Sequence, residues 1–150
     1  MDKQLILLDT LENLTFEKYV FLCDELLLIN KRDLVSELSD QSKRHGYWTG
    51  IYAEAKKRKT KVEDALSVYV SKEKKDFRLA NRGAIKKLTA SDLQAHAEST
   101  KKYTQLKEDL TEACYKVDLV KGLLDSMSQR HGMLIQLSAN NREEAKLING

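Results

Sequence analysis

The sequence predicts an all-α fold: a long antiparallel helical hairpin, coiled-coil-like and oligomer-forming, preceded by an N-terminal helical extension. Three observations lead there. Apolar residues recur in alternating steps of three and four over two separate stretches, which is the seam of a coiled coil. The 150 residues include no proline and only six glycines, too few turn residues for many short elements. A single turn-rich break, residues 79–92, separates the two stretches and lets the chain fold back on itself. The expected organisation is an extension over 1–31 and a hairpin domain over 32–150.

The extension is dense in apolar side chains: Leu5, Ile6, Leu7, Leu8, Leu11 and Leu14, then Phe16, Tyr19, Val20, Leu22 and the run 26–29. Thr15 is placed to cap a helix. So many apolar groups exceed one face of a lone helix, so they must bury against the rest of the chain or against another subunit.

The first seam runs through Leu34, Leu38, Gln41, His45, Trp48, Tyr52, Ala55, Lys59, Val62, Leu66 and Tyr69. It predicts one helix over 32–77, roughly 65–70 Å long at 1.5 Å per residue. Gly46 and Gly50 each weaken it by about 1 kcal/mol relative to alanine. Their spacing suits either close approach of another helix or a mild kink. Residues 78–89 form the connector, in which Asn81 and Gly83 favour a turn, and Thr89 then heads a short helix over 90–98. The second seam, through Tyr103, Leu106, Leu110, Ala113, Val117, Val120, Leu124, Met127, His131 and Leu134, predicts a helix over 100–147 with Gly122 and Gly132 as interior blemishes. Two helices bury only one stripe each, so association into a homo-oligomer is the expected way to gain stability.

The formal net charge of +3 conceals an uneven distribution. Residues 1–40 hold four Lys/Arg against nine Asp/Glu, residues 51–87 twelve against five, and residues 88–150 eight against nine. Five cations, Lys56, Lys57, Arg58, Lys59 and Lys61, fall within six positions, and Lys72, Lys74, Lys75, Arg78, Arg82, Lys86 and Lys87 follow. Together they form an expected basic belt for a polyanion. Lys59, on the seam itself, is of the kind that sets register or oligomer state. Single-stranded DNA sites combine cations that track phosphates with aromatics that stack on bases. Trp48, Tyr52 and Tyr69 occupy seam positions and are expected in the core, which leaves Tyr47 and Phe77 free to stack.

Catalysis finds no foothold. No carboxylate pair, nucleophile arrangement or glycine-rich phosphate loop has workable spacing. His45 and His131 sit on the two seams and fall level in an antiparallel hairpin, but no third ligand has metal-site spacing. Neither cofactor nor metal is expected. Cys23 and Cys114 stand far apart in apolar surroundings and read as free thiols of a reducing compartment. The first residues lack the basic start and apolar core of a signal peptide, and no apolar run approaches the roughly 20 residues of a membrane span. A soluble, cytoplasmic protein is expected.

Three blocks, "QSKRHGYWTGIYAEAKKR" (41–58), "LTASDLQAHAES" (88–99) and "KVDLVKGLLDSMSQRHGMLIQLSANNREE" (116–144), resemble the conserved blocks of the UvsY-type phage recombination mediators. The matching features are Trp48 midway along the first long helix, Thr89 leading a short helix, and Arg130, Leu134, Leu137, Ala139, Asn140, Arg142 and Glu144 near the end. The likeness covers about 33–146. It implies a non-enzymatic, ring-like homo-oligomer that binds single-stranded DNA, displaces or remodels the single-strand-binding protein and loads a RecA-like recombinase, in the host cytoplasm if phage-encoded. A basic pair in that family has Glu63 and Asp64 in its place here, so the cations assigned to DNA are those of the belt. The alternative is a coiled-coil scaffold or inhibitor that binds another protein, with the apolar N-terminal segment as docking surface.

Overall fold

A computed structural model describes residues 10–83 and 88–149. All secondary structure among them is helical, and the two long helices lie against each other as the expected hairpin. After a helical turn at residues 10–12 come α1 (Phe16–Leu27), α2 (Leu34–Ala80), α3 (Ala90–Glu98) and α4 (Lys101–Asn149). The long helices contain 47 and 49 residues. No proline interrupts either, and both continue two or three residues beyond the expected ends. α2 stops at Ala80, where the Asn81 side chain and backbone N–H both donate to the Phe77 carbonyl, at 2.9 and 3.2 Å. The apolar residues Leu5, Ile6, Leu7 and Leu8 lie outside the described residues.

The chain divides into two compact units, one of residues 1–55 with 116–150 and the other of residues 56–115. This division cuts across the expected boundary at residue 31, because the extension shares its core with the ends of both long helices. In the first unit Leu11 and Leu14 meet Trp48, Ile51 and Ala55 of α2 and Leu119, Val120, Leu123 and Met127 of α4. Tyr19, Leu22, Cys23, Leu26 and Leu27 of α1 pack onto this cluster. The local reason for α1 is plain: Thr15 caps it by accepting from the Lys18 N–H at 3.3 Å, and its apolar residues recur at helical spacing.

A third helix on the hairpin widens the buried stripe of each long helix beyond a two-helix seam. Ile51 and Leu123 are therefore almost fully buried although the heptads pass beside them, while the seam positions His45 and His131 are exposed. The glycines differ in their surroundings. An added Cβ at Gly46 or Gly50 would have nothing within 4 Å among the described residues. At Gly122 it would stand 3.1 Å from the Tyr19 hydroxyl. The residue read as a blemish is the one that admits α1. Burial, then the neighbouring Cys23 thiol, pushes the Tyr19 phenol above its ordinary pKa.

A polar node sits in the same unit. Arg130, 2% exposed, donates from Nη2 and Nε to the Leu28 carbonyl at 2.8 and 3.3 Å, and its guanidinium also donates to the Gln41 side-chain oxygen and the Glu37 carboxylate. Gln41 Nε2 donates to the Met127 carbonyl at 2.8 Å, and Glu37 accepts the Asn30 N–H at 3.2 Å. Burial alone would raise the Glu37 carboxyl. The hydrogen bonds from Arg130 and Asn30, with the charges of Arg130 and Arg44, outweigh it and hold the pKa below its ordinary value.

In the second unit α3 starts with a capping box: the Thr89 hydroxyl accepts the Asp92 N–H at 3.2 Å, and the Asp92 carboxylate accepts the Thr89 N–H at 2.9 Å. Leu93, Ala97 and Leu106 are buried. Thr100 links the elements, accepting from the Tyr69 hydroxyl at 2.8 Å and from the Tyr103 N–H at 3.2 Å.

Candidate nucleic-acid interface

The inward side of α2 in the second unit is set by Val62, Leu66 and Tyr69, all half-buried. Residues three and four apart share a helix face. Lys57 with Lys61, and Lys72 with Lys75, therefore stack on the side turned away from those apolar residues. Lys56, Lys57, Lys61, Lys72, Lys75 and Arg78 are exposed, as is Arg82 in the turn that follows. Arg58, Lys59 and Lys74 are half-buried, their stems covering the flanks of the apolar stripe. Lys59 lies 3.6 Å from Glu63 one turn on. Lys86 and Lys87 lie outside the described residues.

The expected belt resolves into two groups, 56–61 and 72–82. Between Lys61 and Lys72 lies about 16 Å of helix without a cation, and Glu63 and Asp64 are exposed on it. The strip is interrupted because the sequence supplies carboxylates where the face turns outward. Charge also divides by unit, with the positive excess carried by residues 56–87, twelve Lys/Arg against four Asp/Glu. Residues 56–115 hold fifteen Lys/Arg against nine Asp/Glu, while the other unit holds eleven against fourteen. Lys101, Lys102 and Lys107 of α4 are exposed members of the positive unit. They stand among five Asp/Glu in residues 88–115, so the unit's positive excess comes from residues 56–87.

The aromatics fall differently from the expectation in one respect. Trp48 is buried and Tyr52 and Tyr69 half-buried, as seam positions require. Phe77 is not free to stack: His96 lies parallel on its ring, centroids 3.9 Å apart, with Glu73 3.9 Å from the imidazole. The i, i+4 step from Glu73 to Phe77 presents both to the inner side of α3. Tyr47 is exposed, but it belongs to the first unit, edge-on to Trp48 with centroids 5.7 Å apart.

No family model, curated protein or solved structure matches this chain. Trp48, Thr89 and Arg130 have structural work: Trp48 in the core, Thr89 as a helix cap, Arg130 at the centre of the polar node. Among the described residues no three His, Cys, Asp or Glu side chains gather as a metal site, and no helix is long and apolar enough to cross a membrane. Chemically, the second unit presents exposed ammonium and guanidinium groups along α2.

Proposed function

We propose that this chain is a single-stranded-DNA-binding recombination mediator: a non-enzymatic homo-oligomer, ring-like in assembly, that assists the loading of a RecA-like recombinase. The observation that supports it most is the gathering of positive charge into residues 56–115 while the remainder is net negative. The exposed cations of α2 neutralise phosphates and release counterions, which makes binding electrostatic and weakly selective for sequence. With Phe77 covered by His96, base stacking contributes little. The recombinase and the displaced single-strand-binding protein enter through the resemblance of the three blocks.

The test is a shift assay with labelled single-stranded DNA over a salt series. Log affinity should fall with log salt by about 0.7 per phosphate contact, and Lys57→Glu, Lys61→Glu, Lys72→Glu and Lys75→Glu together should weaken binding at least tenfold with helicity intact. Solution mass with and without DNA reads the assembly. A salt-insensitive affinity would contradict the reading. The alternative, a coiled-coil scaffold or inhibitor that binds another protein, is favoured by one observation: Phe16, Val20 and Phe21 on α1 are 60, 42 and 58% exposed. Absence of DNA binding even at low salt selects it.

A further inference from the structure

The first unit contains an open groove of about 600 Å³, large enough for several side chains of a peptide. Phe21 and Leu26 of α1 and Tyr47 and Trp48 of α2 supply apolar walls, and Lys18, Lys43 and Arg44 line it with positive charge. The walls are held in place. Trp48 is 4% exposed in the core, and Tyr47 is braced edge-on against it and tied through its hydroxyl to Thr10 at 3.2 Å.

We propose that this groove docks an acidic peptide segment of a partner protein, one that carries one or two bulky apolar side chains. The charge pattern commits the occupant. Three cations border one groove in a unit where acids outnumber bases, fourteen to eleven. Of the three, Lys43 has Asp40 at 3.3 Å, a pair exposed enough to be screened by water and of little energetic weight, and Arg44 acts at longer range on Glu37, whose hydrogen bonds come from Arg130 and Asn30. Apolar walls give a peptide's aromatic or aliphatic side chain a place to leave water, and the cations select carboxylates beside it and reject basic segments. A nucleic acid is disfavoured, since the net negative charge of the unit repels an extended polyanion whereas a short segment meets only the local cations.

Trp48 is the only tryptophan, so its fluorescence reports the groove directly. The full chain is titrated with a ten-residue peptide of Asp and Glu carrying one Phe and one Leu. Two controls are a peptide with Lys in place of every acid and one with the acids but no apolar residue. The expected result is a saturable Trp48 change with the first peptide and at least tenfold weaker binding of each control. Lys18→Glu with Arg44→Glu should weaken the first peptide at least tenfold at unchanged circular dichroism, and Phe21→Ala should do so without altering charge. Three outcomes overturn the proposal: no Trp48 response, equal affinity for the Lys peptide, or a Trp48 signal that follows protein concentration without peptide, which makes a second copy the occupant.

Discussion

At the scale of single residues the Arg130 node decides most. A guanidinium 2% exposed is tolerated only because Glu37, Gln41 and the Leu28 carbonyl meet its donors. Arg130→Met removes the cation and leaves a carboxylate and an amide facing a half-filled site. Loss of one partner of a buried pair costs about 3–5 kcal/mol, to be read by urea unfolding followed at Trp48. The same node sets an acid limit. Because the folded-state pKa of Glu37 is depressed, its contribution is fully present above the unfolded value and disappears as pH falls through the folded one. Stability should thus be insensitive to this group from pH 7 to about 5 and decline below about pH 4. Glu37→Gln should be less stable than the parent at neutral pH, with part of the acid-dependent loss removed. Equal acid sensitivity of the two proteins would refute this. Gln41 was legible as a seam position, but Arg130 was not. A heptad assigns the inner place to His131, and charged residues are seldom buried, so only the carboxylate and amide supplied from residues 37 and 41 explain why the arginine turns inward.

At the scale of elements, the long helices and the short one between them follow from periodicity, the absence of proline and the Thr89–Asp92 box. What periodicity could not supply is where a third helix lies on the hairpin. Two heptads describe two helices, whereas Ile51, Leu123 and Gly122 are explained by α1. The glycines test this directly. Gly46→Ala and Gly50→Ala place a methyl in open space and should each stabilise α2, by about 1 kcal/mol at most. Gly122→Val drives carbon into the Tyr19 ring region. Overpacking of that kind costs about 1–3 kcal/mol, so thermal melts should move in opposite directions for the two sites. Thr89→Ala should cost about 1 kcal/mol and speed hydrogen exchange within α3 while leaving the core around Trp48 protected. Uniform faster exchange throughout the chain would show that the cap is not a local device.

At the scale of the whole molecule, the question is whether the positive charge of residues 56–115 acts through point contacts or as a field. Contacts with phosphate reside on the residues that touch the strand, and their loss raises the dissociation rate. A field steers the approach, acts over a distance near the Debye length and vanishes with salt. Lys101, Lys102 and Lys107 separate the two, being exposed in the positive unit but absent from the α2 groups. On the proposed function, Lys101→Glu, Lys102→Glu and Lys107→Glu together should slow association with single-stranded DNA several-fold at about 0.05 M salt and leave dissociation nearly unchanged. At about 0.5 M salt, where screening shortens to a few ångströms, the difference in association should close. Reversal of Lys57, Lys61, Lys72 and Lys75 should instead accelerate dissociation at both concentrations. Stopped-flow mixing measures both rates. If the α4 triple changes association no more than an equal number of reversals in the first unit, charge is not organised by unit, and the α2 face must carry the binding by contact alone.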